Sequence, residues 1–165
     1  MVAFGHTAIG VGVGMVTFHL VGDANPVLGS VTALGGGIVS HYLADLVPHG
    51  HFFEDPDNYK RYALPIIVFD LGLGTALFLG LAYLKFGFGW QVFYILLGIV
   101  GAQLPDALDA FIWMKMLAKK GFIGLEHQFH QAMHWHAKPK PGLPLGWYDI
   151  VQIAVVAFML FLLVK

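Results

Sequence analysis

The stretch VLGSVTALGGGIVSHYLADLV, from Val27 to Val47, decides the interpretation of the whole chain. It is apolar or small at most positions and has about the 20 residues that an α-helix needs to cross a membrane. Its end carries His41 and Asp45, and His49 follows four residues later. This spacing places the three side chains on one stripe of a helix. The stretch therefore predicts a membrane span with a polar cluster at one end.

Four more apolar runs of similar length flank this span. They are Val2 to Val21, Tyr62 to Phe86, Trp90 to Trp113 and Leu145 to Val164. The chain has 165 residues, of which 58% are hydrophobic and 12% charged, a composition too apolar for a water-soluble surface. We expect an all-α fold, with residues 1–165 forming one integral-membrane domain of about five spans. The first run has no basic leading segment and no small-residue cleavage site, so we interpret it as a retained helix.

Two features of the composition restrict the function. The chain has no cysteine, which excludes disulfides and thiolate metal sites. Its net charge is −1 and no basic stripe interleaves with aromatic residues, so we expect no nucleic acid partner. The apolar runs predict membrane lipids as partners.

The basic residues are divided unequally between the two sides that alternating spans define. Seven fall on the side of the N-terminus, namely Lys60, Arg61, Lys115, Lys119, Lys120, Lys138 and Lys140, and two on the other, Lys85 and Lys165. Because cytoplasmic loops are enriched in lysine and arginine, this split predicts a cytoplasmic N-terminus and an external C-terminus.

An amphipathic helix is predicted between the fourth and fifth spans, within Phe122 to His136. His127, His130 and His134 fall within a narrow arc of this helix, and apolar side chains gather on another. This pattern is typical of an interfacial helix whose apolar face lies in lipid or protein.

The polar residues of the spans and of this helix converge on the cytoplasmic side. The candidate metal ligands are His6, His41, Asp45, His49, Asp106, His130 and His134. Carboxylates inside spans are tolerated only with partners, and two kinds of partner are open. One is a hydrogen-bonded network that holds the bundle together. The other, which we favour, is a divalent metal, because clustered imidazoles and carboxylates are its usual ligands.

Four short segments carry a resemblance to a known family. They resemble motifs of small bacterial integral-membrane proteins of the predicted membrane-bound metal-dependent hydrolase type. The segments are HTAIG, SHYLADLVPHG, LPDALD and FHQAMHWH. The resemblance spans most of the chain and implies metal-binding or catalytic roles for the same seven residues. In this chain the H-x-x-x-D motif precedes the LPD motif.

These observations predict hydrolysis of a lipid-linked ester or phosphoester at the cytoplasmic face of the inner membrane. The expected cofactor is a divalent metal, Zn²⁺ first and Mn²⁺ or Mg²⁺ as alternatives, with Asp70 or Asp109 as general base. Two other classes of function stay open. One is a transporter that handles metal ions or protons, and the other is a structural membrane protein without catalysis.

Overall fold

The computed structural model describes residues 3–46, 68–113, 116–133 and 147–165, and all regular structure in these ranges is helical. The helices are α1 (Ala3–Val21), α2 (Pro26–Asp45), α3 (Gly74–Phe86), α4 (Trp90–Trp113), α5 (Gly121–Met133) and α6 (Trp147–Val164). A π-helical segment, Val68–Leu73, leads directly into α3. The predicted all-α bundle is confirmed.

Three helices are long and apolar enough to cross a membrane. These segments are Phe4–Val21 of α1, Pro26–Asp45 of α2 and Trp90–Ile112 of α4. Two shorter apolar helices, Leu71–Phe86 and Ile150–Val164, lie at the positions of the third and fifth predicted spans. The beginning of the third predicted span, at residues 62–67, lies outside the described residues.

The turn between α1 and α2 is set by local chemistry. Gly22 ends α1 with a φ of 61°, a left-handed conformation that glycine adopts without steric strain. The side chain of Asn25 then accepts a hydrogen bond of 3.1 Å from the backbone N–H of Leu28, and Pro26 occupies the first turn. An asparagine cap followed by proline starts a helix well, because the first turn leaves N–H groups unpaired.

Glycines bring α1, α2 and α4 into backbone contact. A Cβ atom added at Gly10 would lie 2.6 Å from the carbonyl oxygen of Gly98, and one added at Gly14 would lie 2.6 Å from that of Tyr94. A Cβ added at Gly37 would also meet the Gly98 carbonyl. Gly10 and Gly14 have the four-residue spacing of small residues that lets helices approach closely, and Gly98 is the point where the three helices meet. In lipid such packing replaces the hydrophobic effect as the main force between helices.

These contacts fix the relative directions of the helices. Gly10 lies against Gly98 and Gly14 against Ile95, so α1 and α4 are antiparallel. Along α2 and α4 the contact positions rise together, from Gly29 beside Tyr94 to Gly37 beside Gly101, so these two helices are parallel. The beginning of α1 consequently lies beside the ends of α2 and α4.

Candidate metal centre

A cluster of five titratable side chains lies where the beginning of α1 meets the ends of α2 and α4 and the inner face of α5. Its members, called the central cluster below, are His6, His41, Asp45, Asp106 and His130. They form two overlapping groups of three, His6 with His41 and Asp45, and His41 with Asp106 and His130. In each group the potential ligand atoms lie within 4.8 Å of one another, which brings them within reach of a single ion.

The carboxylate of Asp45 contacts all three histidines of the cluster. Its Oδ2 lies 3.0 Å from Nε2 of His41 and 3.3 Å from Nε2 of His130, and its Oδ1 lies 3.2 Å from Nε2 of His6. The side chains of His6, His41 and Asp45 are all fully buried. A carboxylate this deep requires compensating positive charge.

His41 is held in one orientation by a backbone group of α4. Its Nδ1 donates a hydrogen bond of 2.7 Å to the carbonyl oxygen of Ala102. Because Nδ1 makes this contact, the ring directs Nε2 into the cluster, which is the orientation of metal-binding histidines.

His130 is oriented from the other side by Asp109. Its Nδ1 lies 3.2 Å from Oδ2 of Asp109, and that carboxylate also accepts hydrogen bonds from Nδ1 of His127, at 2.5 Å, and Nε2 of Gln131, at 2.7 Å. Burial alone would lower the pKa of His130, but its contacts with Asp109 and Asp45 raise that pKa to about 10. In the absence of other cations, His130 is therefore protonated at neutral pH.

The two oriented histidines face each other at short range. Nε2 of His41 lies 3.0 Å from Nε2 of His130. If both rings carry their proton on Nδ1, two lone pairs point at each other, and this arrangement needs a proton or another cation between them. The donor set, three imidazoles and two carboxylates, suits a divalent ion such as Zn²⁺.

His6 supplies a further sign that the cluster fits a cation. Its ring is fully buried and stacks on that of His41, with centroids 4.1 Å apart. Neither ring nitrogen makes a hydrogen bond of good geometry within the described part of the chain. Its Nε2 nevertheless lies 3.2 Å from Oδ1 of Asp45. A metal ligand bond at this nitrogen would offset the hydration that burial removes.

Asp106 is the accessible edge of the cluster. Its side chain is 28% exposed, whereas that of His130 is 1% exposed and that of Asp45 is fully buried. Its oxygens lie 3.6 Å from Nε2 of His130, 3.8 Å from Nε2 of His41 and 3.9 Å from Nε2 of His6. Asp106 is therefore the member of the central cluster that is most exposed to solvent.

Two further polar contacts border the cluster. Tyr42 donates a hydrogen bond of 2.9 Å to Glu126 and links the end of α2 to α5. Burial raises the pKa of Glu126, although the hydrogen bond from Tyr42 opposes this effect. Deeper in the bundle, the amide of Gln103 donates to the hydroxyls of Thr7, at 2.5 Å, and Thr75, at 3.2 Å.

The structure brings together five of the seven side chains that the sequence indicated as ligands, and Asp109 lies beside them. The sequence placed these residues at one end of the bundle, and in the structure His130 contacts Asp45 at 3.3 Å. His49 and His134 lie outside the described residues. Asp70 lies in the π-helical segment, and its side chain is also outside the described part of the structure.

Three polar residues of α5 were not singled out from the sequence as part of the site. They are Glu126, His127 and Gln131. His127 shares the histidine arc of the amphipathic helix with His130, so helical periodicity did indicate its face. Periodicity could not show which groups this face contacts. In the structure His127 contacts Asp109, which lies beside the central cluster.

No protein-family model, curated protein or solved structure matches this chain.

Proposed function

We propose that this protein is a membrane-embedded, metal-dependent hydrolase that acts on a lipid-linked ester or phosphoester. The observation that carries the proposal is the facing pair of Nε2 atoms in His41 and His130, 3.0 Å apart beside the Asp45 carboxylate. Each of these rings has its other nitrogen held by an acceptor, Ala102 or Asp109. Such outer contacts are the usual support of metal-binding histidines.

The proposed ligands are the five residues of the central cluster, and His49 and His134 remain predicted ligands. The proposed ion is Zn²⁺, with Mn²⁺ or Mg²⁺ as alternatives. When bound, such an ion would supply Lewis-acid activation of water and of the scissile bond. The resemblance of four sequence segments to membrane-bound metal-dependent hydrolases supports the same reaction class.

Asp109 acts in this proposal as a positioning residue. Its Oδ1 accepts from His127, and its Oδ2 accepts from Gln131 and contacts His130. These contacts occupy the carboxylate and favour orientation of His130 over the role of general base. Asp70, the other residue predicted for that role, remains the candidate proton acceptor.

The location of the cluster supports a lipid substrate. Asp45 ends a membrane-length segment, and Asp106 lies near the end of another, so the cluster sits near one end of the apolar helices. A substrate that reaches the partly exposed edge at Asp106 would come from the headgroup region. The lysine and arginine distribution supports a cytoplasmic orientation of this end in the inner membrane.

Metal content tests the proposal directly. The purified wild type should contain about one or two equivalents of a divalent metal, as expected for one or two ions in a hydrolytic site. Asp45→Asn should retain little metal, because the amide keeps the shape of the carboxylate and loses its charge. Asp23→Asn is the matched control, because Asp23 is exposed in the turn between α1 and α2 at the other end of the bundle.

Stability in detergent separates a metal centre from a hydrogen-bonded network. A chelator should lower the thermal midpoint of the wild type, and Zn²⁺ or Mn²⁺ should restore it. The Asp45→Asn variant should have a low midpoint that responds to neither reagent. A wild-type midpoint that is unchanged by the chelator, in a preparation free of metal, would show that the cluster is a structural network.

Hydrolysis is tested with the metal-loaded protein in vesicles made from a bacterial lipid extract. Mass spectrometry should detect products of ester or phosphoester cleavage with the wild type and with Asp23→Asn, and not with Asp45→Asn. A metal-loaded protein that releases no product from any lipid of the extract would contradict the hydrolase assignment while leaving the metal centre in place.

A transporter is the alternative that the polar cluster raises. Beyond Gln103 and the two threonines that it contacts, the described core is mostly apolar, with Val11, Ile95 and Ile99 fully buried. The other buried polar side chains described there, Thr17 and Gln152, are uncharged. An ion path needs polar groups that continue across the membrane, so this core weighs against transport. Metal flux into liposomes, measured with an internal fluorescent indicator, would support the alternative if it exceeded that of Asp45→Asn.

A further inference from the structure

Helix α5 has two opposite faces of different chemistry. Gly124, His127 and His130 are buried against the ends of α2 and α4. Phe122, Leu125 and Phe129, called the outer face below, are 79%, 67% and 51% exposed. At about 100° per residue the centres of these two arcs lie nearly opposite each other. Phe122 and Leu125 therefore point away from the rest of the described bundle, and Phe129 lies at the edge of the outer face next to α2.

The outer face continues the lipid-facing surface of the long helices. The ring of Phe129 packs against that of Tyr42 with centroids 4.9 Å apart, which places the outer face beside the last turn of α2. In that turn Leu43 is 59% exposed and Leu46, directly after it, is 45% exposed. Because α2 is apolar and of membrane length, these leucines lie against lipid. The outer face extends the same apolar surface.

Positive charge borders the outer face at the beginning of α5. Lys119 and Lys120 are exposed and directly precede the helix. Lysines beside an apolar helical face are typical of segments that lie at the headgroup level, where they interact with anionic lipids. The lysines and the apolar outer face thus both fit a lipid bilayer that contains anionic headgroups.

We propose that the outer face of α5 is docked into the boundary between headgroups and acyl chains of the bilayer, with Lys119 and Lys120 at anionic headgroups. The occupant is lipid and not a second protein. One helix then meets the bilayer on one side and carries His130 into the central cluster on the other. Lipid holds α5 against the bundle, and this docking does not depend on whether the cluster binds metal.

Single cysteines test the docking, since the chain contains no cysteine of its own. The variants are Phe122→Cys and Leu125→Cys on the outer face, with Gln128→Cys as the control on an exposed polar position of the same helix. Each is spin-labelled and reconstituted into vesicles of phosphatidylcholine and phosphatidylglycerol in the presence of chelator. The collision rates of the label with oxygen and with a water-soluble nickel chelate report its depth.

Labels at positions 122 and 125 should collide often with oxygen and rarely with the nickel chelate, and the label at 128 should show the reverse. Replacing phosphatidylglycerol by phosphatidylcholine should raise the collision rate with the nickel chelate at positions 122 and 125. The double substitution of Lys119→Gln and Lys120→Gln should have the same effect. The proposal would be overturned if the labels at positions 122 and 125 collided with the nickel chelate as often as the label at position 128. It would also be overturned if they collided rarely with both reagents, because such shielding indicates a protein partner. A nickel access that does not depend on anionic lipid would overturn the role of the lysines.

Discussion

His41 and His130 each present one ring nitrogen to the central cluster because the other nitrogen has a fixed acceptor. For His41 the acceptor is the backbone carbonyl of Ala102, which side-chain substitution leaves in place. For His130 it is the carboxylate of Asp109, which substitution can change. The role of a positioning contact can therefore be measured at Asp109 without altering a proposed ligand.

Asp109→Asn should weaken metal binding while leaving all proposed ligands intact. The amide can offer an N–H to Nδ1 of His130 and so favour the wrong tautomer. The loss of such an outer contact typically lowers metal affinity about 10- to 100-fold, and we expect a loss in this range. Competition with a chromophoric chelator at constant pH measures it, with Asp23→Asn as control. An affinity equal to that of the wild type would show that Asp109 does not orient His130.

The charge of His130 gives the metal-free protein a defined pH dependence. Burial disfavours the imidazolium, but the contacts with Asp109 and Asp45 outweigh burial and raise its pKa from 6.5 to about 10. Because the folded-state pKa lies above the unfolded value, this stabilising contribution is complete below pH 6.5 and is lost as pH rises through about 10.

Thermal unfolding in detergent with chelator should show this dependence as a difference between the wild type and His130→Gln. The difference between their midpoints should be largest below pH 6.5 and should shrink toward pH 10. A bound metal must displace the same proton, so apparent metal affinity should increase over this interval. A midpoint difference that grows with pH would contradict a protonated His130 in the metal-free state.

Helix boundaries were the part of the fold most accessible from sequence. The range predicted for the fourth span, Trp90 to Trp113, is that of α4, and the amphipathic helix predicted from Phe122 begins at Gly121. In lipid, backbone groups must be paired within the helix, so a long apolar run leaves little choice of structure. Hydropathy alone therefore locates the long helices.

The contacts inside the site were less accessible, because they depend on how the helices rotate and cross. The sequence placed His41 and Asp45 on one stripe of a helix. It did not predict that His41 contacts the backbone carbonyl of Ala102. It also gave no reason to connect Tyr42 with Glu126, which are 84 positions apart. The contact of His41 with Ala102 depends on the crossing of α2 and α4 near Gly98, and the contact of Tyr42 with Glu126 depends on where α5 packs against α2.

The crossing at Gly98 can be tested with a matched pair of glycines on α2. Gly37→Ala would place a Cβ against the Gly98 carbonyl and 2.9 Å from the backbone nitrogen of Ala102. We expect a loss of about 1–3 kcal/mol in stability, typical of overpacking. Gly35→Ala is the control, because a Cβ there meets nothing within 4 Å among the described residues. Thermal unfolding in detergent compares them, and equal midpoints would argue against the three-helix contact.

The directions of the helices separate the chain into two ends. The hydroxyl of Tyr94 donates a hydrogen bond of 3.2 Å to the carbonyl of Gly22, so the turn after α1 lies beside the beginning of α4. The turn between α3 and α4, with Phe88 96% exposed, lies at this same end. The central cluster lies at the opposite end, followed by the segment that leads into α5. Topology therefore decides on which side of the membrane the proposed chemistry occurs.

Labelling of single cysteines in cells resolves this orientation. We expect a membrane-impermeant maleimide to label Asp23→Cys and Phe88→Cys in intact spheroplasts, and Met116→Cys, where the side chain is 67% exposed, only after permeabilisation. The reason is the excess of lysine and arginine on the side of Met116. Labelling of Met116→Cys alone in intact spheroplasts would place the cluster outside the cell and exclude a cytoplasmic substrate. Labelling of Asp23→Cys and Phe88→Cys from different sides would contradict the packing of the turn at Gly22 beside Tyr94, because both positions belong to one end of the bundle.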